Sequence, residues 1–195
     1  MTVQTVSFAG DLLLILTAAA VVVLLLAAIV QVARGRQPSA VTLTGVVGVV
    51  VGAYGGVLLA VGLSSTSQEL MPGDVKCFDD WCATMLQAHR DGAAGPVHID
   101  VQLQNRALGR QMHSELARAY LELKDGGELM PLDGRAMQTW LQPGQRVDIE
   151  LTFPAARNSN PIRFVVVEGT PGSIPGIFEI GGEGSPFHAR AGWSL

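Results

Sequence analysis

The stretch from Val41 to Leu63, VTLTGVVGVVVGAYGGVLLAVGL, carries no charged side chain and decides how the rest of the chain is organised. It is longer than the roughly 20 residues that an α-helix needs to cross a hydrocarbon core about 30 Å thick. Within it, Gly45, Gly48, Gly52 and Gly56 recur at the spacing that places residues on one face of a helix. The stretch predicts a membrane-spanning helix with one face of small residues.

A second apolar run precedes this stretch, from Leu12 to Val30, and Thr17 is its only polar side chain. The residues before the run include no Lys or Arg, and the run exceeds the roughly 7–15 apolar residues of a signal peptide. We therefore expect both helices to be retained. The predicted spans are about 10–32 and 41–63, joined by a loop at 33–40.

The connecting loop carries Arg34 and Arg36, the first basic side chains of the chain. The positive-inside rule places such a loop in the cytoplasm. Pro38 separates the helices, because proline disfavours the helical conformation of the residue before it. The sequence predicts a hairpin in the bacterial inner membrane, with both termini on the periplasmic or extracellular side.

The face of the second span that contains Gly45, Gly48, Gly52 and Gly56, which we call the glycine face, has two candidate partners. Lipid provides no hydrophobic drive for helix association, so a helix interface needs small residues that let two backbones approach. One candidate is the first span, through its small residues Ala18, Ala19, Ala27 and Ala28. The other is a helix of another protein. Neither span contains Lys, Glu or His, so a transporter, a proton relay or a histidine-ligated cofactor in the membrane is not expected.

The residues after Leu63 have the composition of a water-soluble domain and are acidic. They contain eleven of the thirteen Lys and Arg and sixteen of the seventeen Asp and Glu. An acidic domain without a basic stripe argues against nucleic acid as a partner and against docking on anionic lipid by charge.

Residues 64–72 are predicted to form a linker and residues 73–195 an extracytoplasmic domain of β-strands. Segments such as VHIDVQLQN at 97–105 and RVDIELTF at 146–153 alternate apolar and polar residues, which is typical of half-buried strands. The turn sequences DGG, QPGQ, SNP and TPG separate the segments. About seven strands, including GIFEI at 176–180 and a last one near His188 to Trp193, predict an antiparallel sandwich.

One segment has a competing interpretation. Four side chains recur every four residues between 104 and 120, as in a helix: Leu108, Met112, Leu116 and Tyr120. Gly109 weakens a helix there. We expect a loop or a short helix before a strand at Ala117.

The outer part resembles the uncharacterised immunoglobulin-like domains that many bacteria tether outside the membrane by one or two helices. The matching pieces are MPGDVKCFDDWC at 71–82, VQLQN at 101–105, LQPGQRVDIELTF at 141–153 and FEIGGEGSPFHARAGWSL at 178–195. The resemblance covers residues 70–195. It implies an immunoglobulin-like β-sandwich and implies no catalytic residue.

Cys77 and Cys82 are the two cysteines, and FDDW lies between them. A location outside the cytoplasm favours a disulfide. If FDDW forms a tight turn, the cysteines face each other across a hairpin and can bond. If the segment is one continuous strand, the odd offset sends the two side chains to opposite faces and two buried free thiols result.

Other chemistry has little support in the sequence. The residues that could bind copper or zinc show no metal-ligand spacing: they are Cys77, Cys82, His89, His98, His113 and His188. His98 is predicted on the outward face of its strand, and Asp79 and Asp80 are interpreted as turn formers. No nucleophile elbow or phosphate-binding loop is present. We expect no catalytic residue, no cofactor and no metal.

Tryptophan provides the remaining candidate. Trp81 is predicted to pack in the core. Trp140 precedes the QPGQ turn and is a candidate interface residue, because exposed tryptophan is enriched where proteins meet.

Three functional hypotheses follow. The first is a non-catalytic accessory subunit of a larger membrane complex, such as a photosynthetic or respiratory one, with membrane protein subunits and the lipid bilayer as partners. The second is a free-standing ligand-binding or sensory module on the cell surface. The third is a periplasmic protein that handles metals or thiols.

Overall fold

The structure is a computed structural model, and it describes residues 2–4, 8–78, 80–92, 95–113, 117–155, 161–168, 178, 183, 187 and 189–195. The chain divides into two compact units, one containing the two long helices and the other containing the strands.

Helix α1 runs from Phe8 to Ala33 and helix α2 from Gln37 to Ser64. Each contains an uninterrupted apolar stretch long enough to cross a membrane. Gly35 ends α1 in the left-handed region, at φ 70°, and its amide donates to the Val32 carbonyl at 2.9 Å. The two helices therefore form the predicted hairpin with a shorter connection than the sequence suggested.

The helices pack against each other through one stripe of side chains on each. On α1 the less exposed positions recur every three or four residues: Leu14, Thr17, Val21, Leu24, Ala28 and Gln31. On α2 the matching positions are Leu43, Val47, Val50, Tyr54, Leu58 and Val61. This spacing is the seam of a two-helix contact.

The described strands form two five-stranded sheets. In sheet order, the first sheet contains β1 (Thr2–Gln4), β3 (Val75–Cys77), β4 (Trp81–Arg90), β5 (Val97–Asn105) and β8 (Arg146–Phe153). The second contains β2 (Glu69–Leu70), β10 (Gly192–Ser194), β9 (Pro161–Glu168), β6 (Ala117–Leu123) and β7 (Glu128–Leu129). A short 3₁₀-helix, Gly134–Gln138, lies between β7 and β8.

The two sheets share one apolar core, so this unit is a β-sandwich. Burial alternates along the whole of β5, which confirms the predicted half-buried strand. Trp81 is buried in the core, as predicted, and Trp193 is fully buried. Core side chains from both sheets include Ile99, Val101, Leu151, Phe153, Leu121, Phe164 and Val166.

The strand pattern differs from the sequence prediction in two ways. The pairs β1–β3 and β2–β10 are parallel, whereas the other pairs are antiparallel. Strand β2 lies inside the predicted linker 64–72. Both β1 and β2 have only two or three residues, too few to show alternation in a sequence.

The remaining predicted segments have mixed outcomes. Strand β6 begins at Ala117, as predicted, and the described residues 106–113 contain no helix. The strand predicted at 176–180 lies outside the described residues except for Phe178, and so does His188.

Candidate functional site

The glycine face of α2 points away from α1. Gly45, Gly48, Gly52 and Gly56 are all exposed, and a Cβ built on any of them meets no described atom within 4 Å. At 3.6 residues per turn, these positions lie opposite the stripe that packs on α1. Of the two predicted partners, the first span does not occupy this face among the described residues.

The alanines predicted to meet that face have different positions. Ala28 is buried in the α1–α2 seam and Ala27 is half-buried, whereas Ala18 and Ala19 are exposed. Arg34 and Arg36 are exposed in the short connection between the helices. This connection is the segment that the positive-inside rule would assign to the cytoplasm.

Cys77 and Cys82 form a disulfide at the mouth of the β3–β4 hairpin. They are directly paired across the two strands, with Cα atoms 4.0 Å apart. The Phe78 amide donates to the Trp81 carbonyl at 2.9 Å and closes the turn. This arrangement matches the tight-turn alternative. Both sulfur atoms are in the disulfide bond, so neither cysteine offers a thiolate to a metal.

A salt bridge and a backbone hydrogen bond connect the turn of this hairpin to the loop that follows β5. Asp80 forms a salt bridge with Arg110, and its carbonyl accepts from the Arg106 amide at 2.7 Å. The Arg106 guanidinium contacts Cys77 Sγ at 3.5 Å. Asp79 lies outside the described residues.

Lys76 is a buried basic residue whose position the sequence did not predict. It is fully buried, and its Nζ donates to the carbonyls of Val166 at 2.7 Å and Ala191 at 2.9 Å. Both carbonyls belong to the opposite side of the sandwich. The buried amino group of Lys76 therefore links the two sheets and has a structural role.

A histidine cluster, which we define as His89, Asp91 and His98, lies on the outer face of the first sheet. His89 and His98 are directly paired across β4 and β5, and their rings stack with centroids 4.8 Å apart. Asp91 lies just after the end of β4, at the start of the turn that leads to β5. The ligand atoms of the three side chains lie within 4.8 Å of one another.

Two carboxylates flank the His98 ring. Glu150 Oε1 lies 2.8 Å from Nδ1, and Asp91 Oδ2 lies 3.3 Å from Nε2. The hydrogen bond with Glu150 is the main reason that the pKa of His98 lies above its ordinary value; burial opposes this shift, and the hydrogen bond and charge of Asp91 add to it. His98 is on the outward face of β5, as predicted.

The sequence offers both histidines as possible ligands but does not predict that they lie next to each other. The available signal was His-x-Asp at the end of one predicted strand and a histidine near the start of the next. Such ligands converge only when the hairpin register is known. His89 also lines a cleft of about 400 Å³ with Val97, Pro161 and Leu195.

Trp140 is 63% exposed, which agrees with its prediction as a surface residue. Its ring contacts His113 edge to face, with centroids 3.8 Å apart. The neighbouring residues Met112 and Leu141 pair through two backbone hydrogen bonds. These bonds fix the loop that presents the indole.

Comparison with known proteins gives structural neighbours only. No family model matches the sequence, and no curated protein matches it. The chain is similar to the secreted protein MPT63 of Mycobacterium tuberculosis, with 11% identity and a TM-score of 0.42 over 68% of this chain and 100% of that one. It is also similar to an uncharacterised β-sandwich protein of Clostridium difficile 630, with 10% identity and a TM-score of 0.38 over 68% and 96%. The β-sandwich is defined by the two sheets of this chain itself.

Proposed function

We propose that this protein is a non-catalytic accessory subunit of a larger integral membrane complex. The helical hairpin anchors it and packs on partner helices, and the β-sandwich braces partners outside the membrane. One observation carries the proposal: the glycine face of α2 is turned away from α1, and no residue in the described part of the chain covers it. In lipid, such a face gives close backbone contact to an incoming helix. Photosynthetic and respiratory assemblies are candidate complexes.

The proposed topology places both ends of the chain on the outer side of the bacterial inner membrane. The pairing of β1 with β3 supports it, because residues 2–4 precede both spans and β3 follows them. Residues on either side of two membrane crossings share one side of the bilayer. The exposed Arg34 and Arg36 in the connection agree with a cytoplasmic loop.

The immunoglobulin-like character of the sandwich is part of the proposal. Its support is the chain path, which changes sheet between β5 and β6, between β7 and β8, and between β8 and β9. Connections that cross between sheets are typical of such domains.

The test is extraction from native membranes in mild detergent, followed by a native gel and mass spectrometry of the band that contains this chain. We expect migration with a large complex. Replacing Gly48, Gly52 and Gly56 together by Leu should release the chain, because branched side chains hold the helices apart.

The matched control adds side-chain bulk at exposed positions of the same helix outside the glycine row. Val46, Ala53 and Val57, all replaced by Leu, lie about a quarter turn from the row. This variant should stay in the complex. Migration of the wild-type chain alone, near its own mass, would contradict the proposal.

A ligand-binding module is the second candidate. The cleft of about 400 Å³ beside His89 is large enough for a small molecule. It would gain support if the wild-type chain migrated alone and a small molecule then raised its melting temperature.

A further inference from the structure

We propose that the histidine cluster is a binding site for a divalent transition-metal ion, with Zn²⁺ as the reference ion. The ligands are one nitrogen each from His89 and His98 and a carboxylate oxygen from Asp91. This site is independent of the glycine face and goes beyond the accessory role proposed above.

The backbone arranges the three ligands before any ion binds. His89 and His98 are a cross-strand pair in an antiparallel hairpin, so their side chains leave the sheet side by side. The Asp91 amide donates to the Pro96 carbonyl at 3.1 Å, which fixes the start of the turn and the position of the carboxylate. Ligands held on a hairpin lose little conformational freedom when an ion binds.

Glu150 forms with His98 the hydrogen bond that a metal-binding histidine usually forms with a carboxylate through its other ring nitrogen. Its carboxylate oxygen lies 2.8 Å from Nδ1, and Thr152 Oγ1 lies 3.3 Å from the same nitrogen. A proton held on Nδ1 by the carboxylate leaves the Nε2 lone pair directed towards Asp91. A carboxylate behind the histidine fixes the ring and raises its basicity as a ligand.

The donor set selects the class of ion. Two imidazole nitrogens and one carboxylate oxygen suit Zn²⁺, Ni²⁺, Co²⁺ or Cu²⁺, whereas Mg²⁺ and Ca²⁺ prefer oxygen ligands alone. Three protein ligands leave a coordination position for water or another ligand. His89 and Asp91 are exposed and His98 is half-buried, so that position is accessible from solvent.

The surrounding face of the sheet favours cations. Asp100 and Asp148 lie on the same outer face as Glu150, where each accepts a hydrogen bond from a glutamine. The described cross-strand pairs next to the cluster carry Asp100, Glu150 and Asp148, and the first basic residue along this face is Arg146, opposite Gln104. Clustered carboxylates raise the local concentration of cations.

The test is isothermal titration of Zn²⁺ into the full chain in detergent micelles, purified without a histidine tag and treated with a chelator. We expect one ion per chain. His98→Gln should weaken binding at least 100-fold, and Glu150→Gln, which removes only the support of a ligand, should weaken it about 10- to 100-fold.

The control is His113→Gln, because His113 lies apart from the cluster and packs on Trp140. This variant should bind Zn²⁺ within about twofold of wild type. Near-ultraviolet circular dichroism of each variant reports whether the sandwich is intact. The absence of saturable binding, or equal weakening by His98→Gln and His113→Gln in folded chains, would overturn the proposal.

Discussion

Lys76 shows how a single residue joins the two sheets. The Lys76 side chain is directed into the sandwich and donates to two carbonyls on the opposite side. A buried hydrogen-bond donor needs such acceptors, because leaving it without them costs the free energy of its lost hydration.

Replacing Lys76 by Met keeps the length of the side chain but leaves the carbonyls of Val166 and Ala191 without this donor. We expect the free energy of unfolding to fall by about 2–4 kcal/mol. Chemical denaturation followed by tryptophan fluorescence measures the change. Lys124→Met is the control, since Lys124 is exposed, and should change stability by less than about 0.5 kcal/mol. Equal stability of the two variants would show that the buried contact is not stabilising.

His98 gives a prediction for the metal-free chain. Its pKa is raised by Glu150 and Asp91, so the folded chain holds the proton more tightly than the unfolded chain does. The resulting stabilisation is fully present below the ordinary pKa of about 6.5 and is lost as the pH rises through the folded value. An NMR titration of the ring protons should give a pKa above 6.5.

The matched variants for this titration are Glu150→Gln and Asp148→Asn. The first should lower the pKa of His98, because it removes the charged acceptor of Nδ1. The second removes a carboxylate that accepts from Gln102 instead and should change that pKa less. A pKa of His98 that is equal in wild type and Glu150→Gln would contradict this account.

The long-range contacts of Lys76 and His98 are the hardest features to predict from sequence. The partners of Lys76 lie 90 and 115 positions away, and the position of His98 opposite His89 depends on strand register. No local pattern carries that information. By contrast, the exposed Trp140 was predicted because it precedes a turn sequence.

At the scale of elements, three local interactions constrain the β3–β4 hairpin. A backbone hydrogen bond joins Phe78 and Trp81 at the turn, and a disulfide joins the adjacent residues Cys77 and Cys82. The rings of Phe78 and Trp81 also stack, with centroids 4.4 Å apart. The tight turn was one of two alternatives in the sequence, because period-two logic alone cannot distinguish a hairpin from a continuous strand.

Removing the disulfide with Cys77→Ala and Cys82→Ala should lower the free energy of unfolding by about 2 kcal/mol, the loop-closure value for a short ring. A reducing agent should lower the melting temperature of the wild-type chain and leave that of the double variant unchanged. If reduction has no effect on the wild type, the disulfide does not contribute to stability.

At the scale of the whole molecule, the hairpin and the main strands could be predicted because long apolar runs and alternation are strong signals. The additions β1 and β2 could not, because strands of two or three residues depend on pairing with distant partners. Their parallel direction could not be predicted either, because no turn sequence connects β1 directly to β3 or β2 directly to β10.

The proposed topology predicts which residues face which compartment. Single cysteines placed at Thr2, Ser39 and Lys124 can be labelled with a membrane-impermeant maleimide in spheroplasts. We expect labelling at Thr2 and Lys124 and none at Ser39 until the membrane is permeabilised. Protection of a cysteine at Thr2 while Lys124 is labelled would refute the shared location of β1 and the sandwich.

The segment from Glu69 to Cys77 has a mechanical consequence. It gives strand β2 to one sheet and strand β3 to the other, and the Trp193 indole donates to the Asp74 carbonyl between them at 3.0 Å. Backbone hydrogen bonds run across the strands, so a pull along this segment loads them in shear. Force that arrives through the preceding chain reaches the β2–β10 pair of one sheet first and β3 of the other sheet next, so the sandwich would resist it through two sheared contacts in succession.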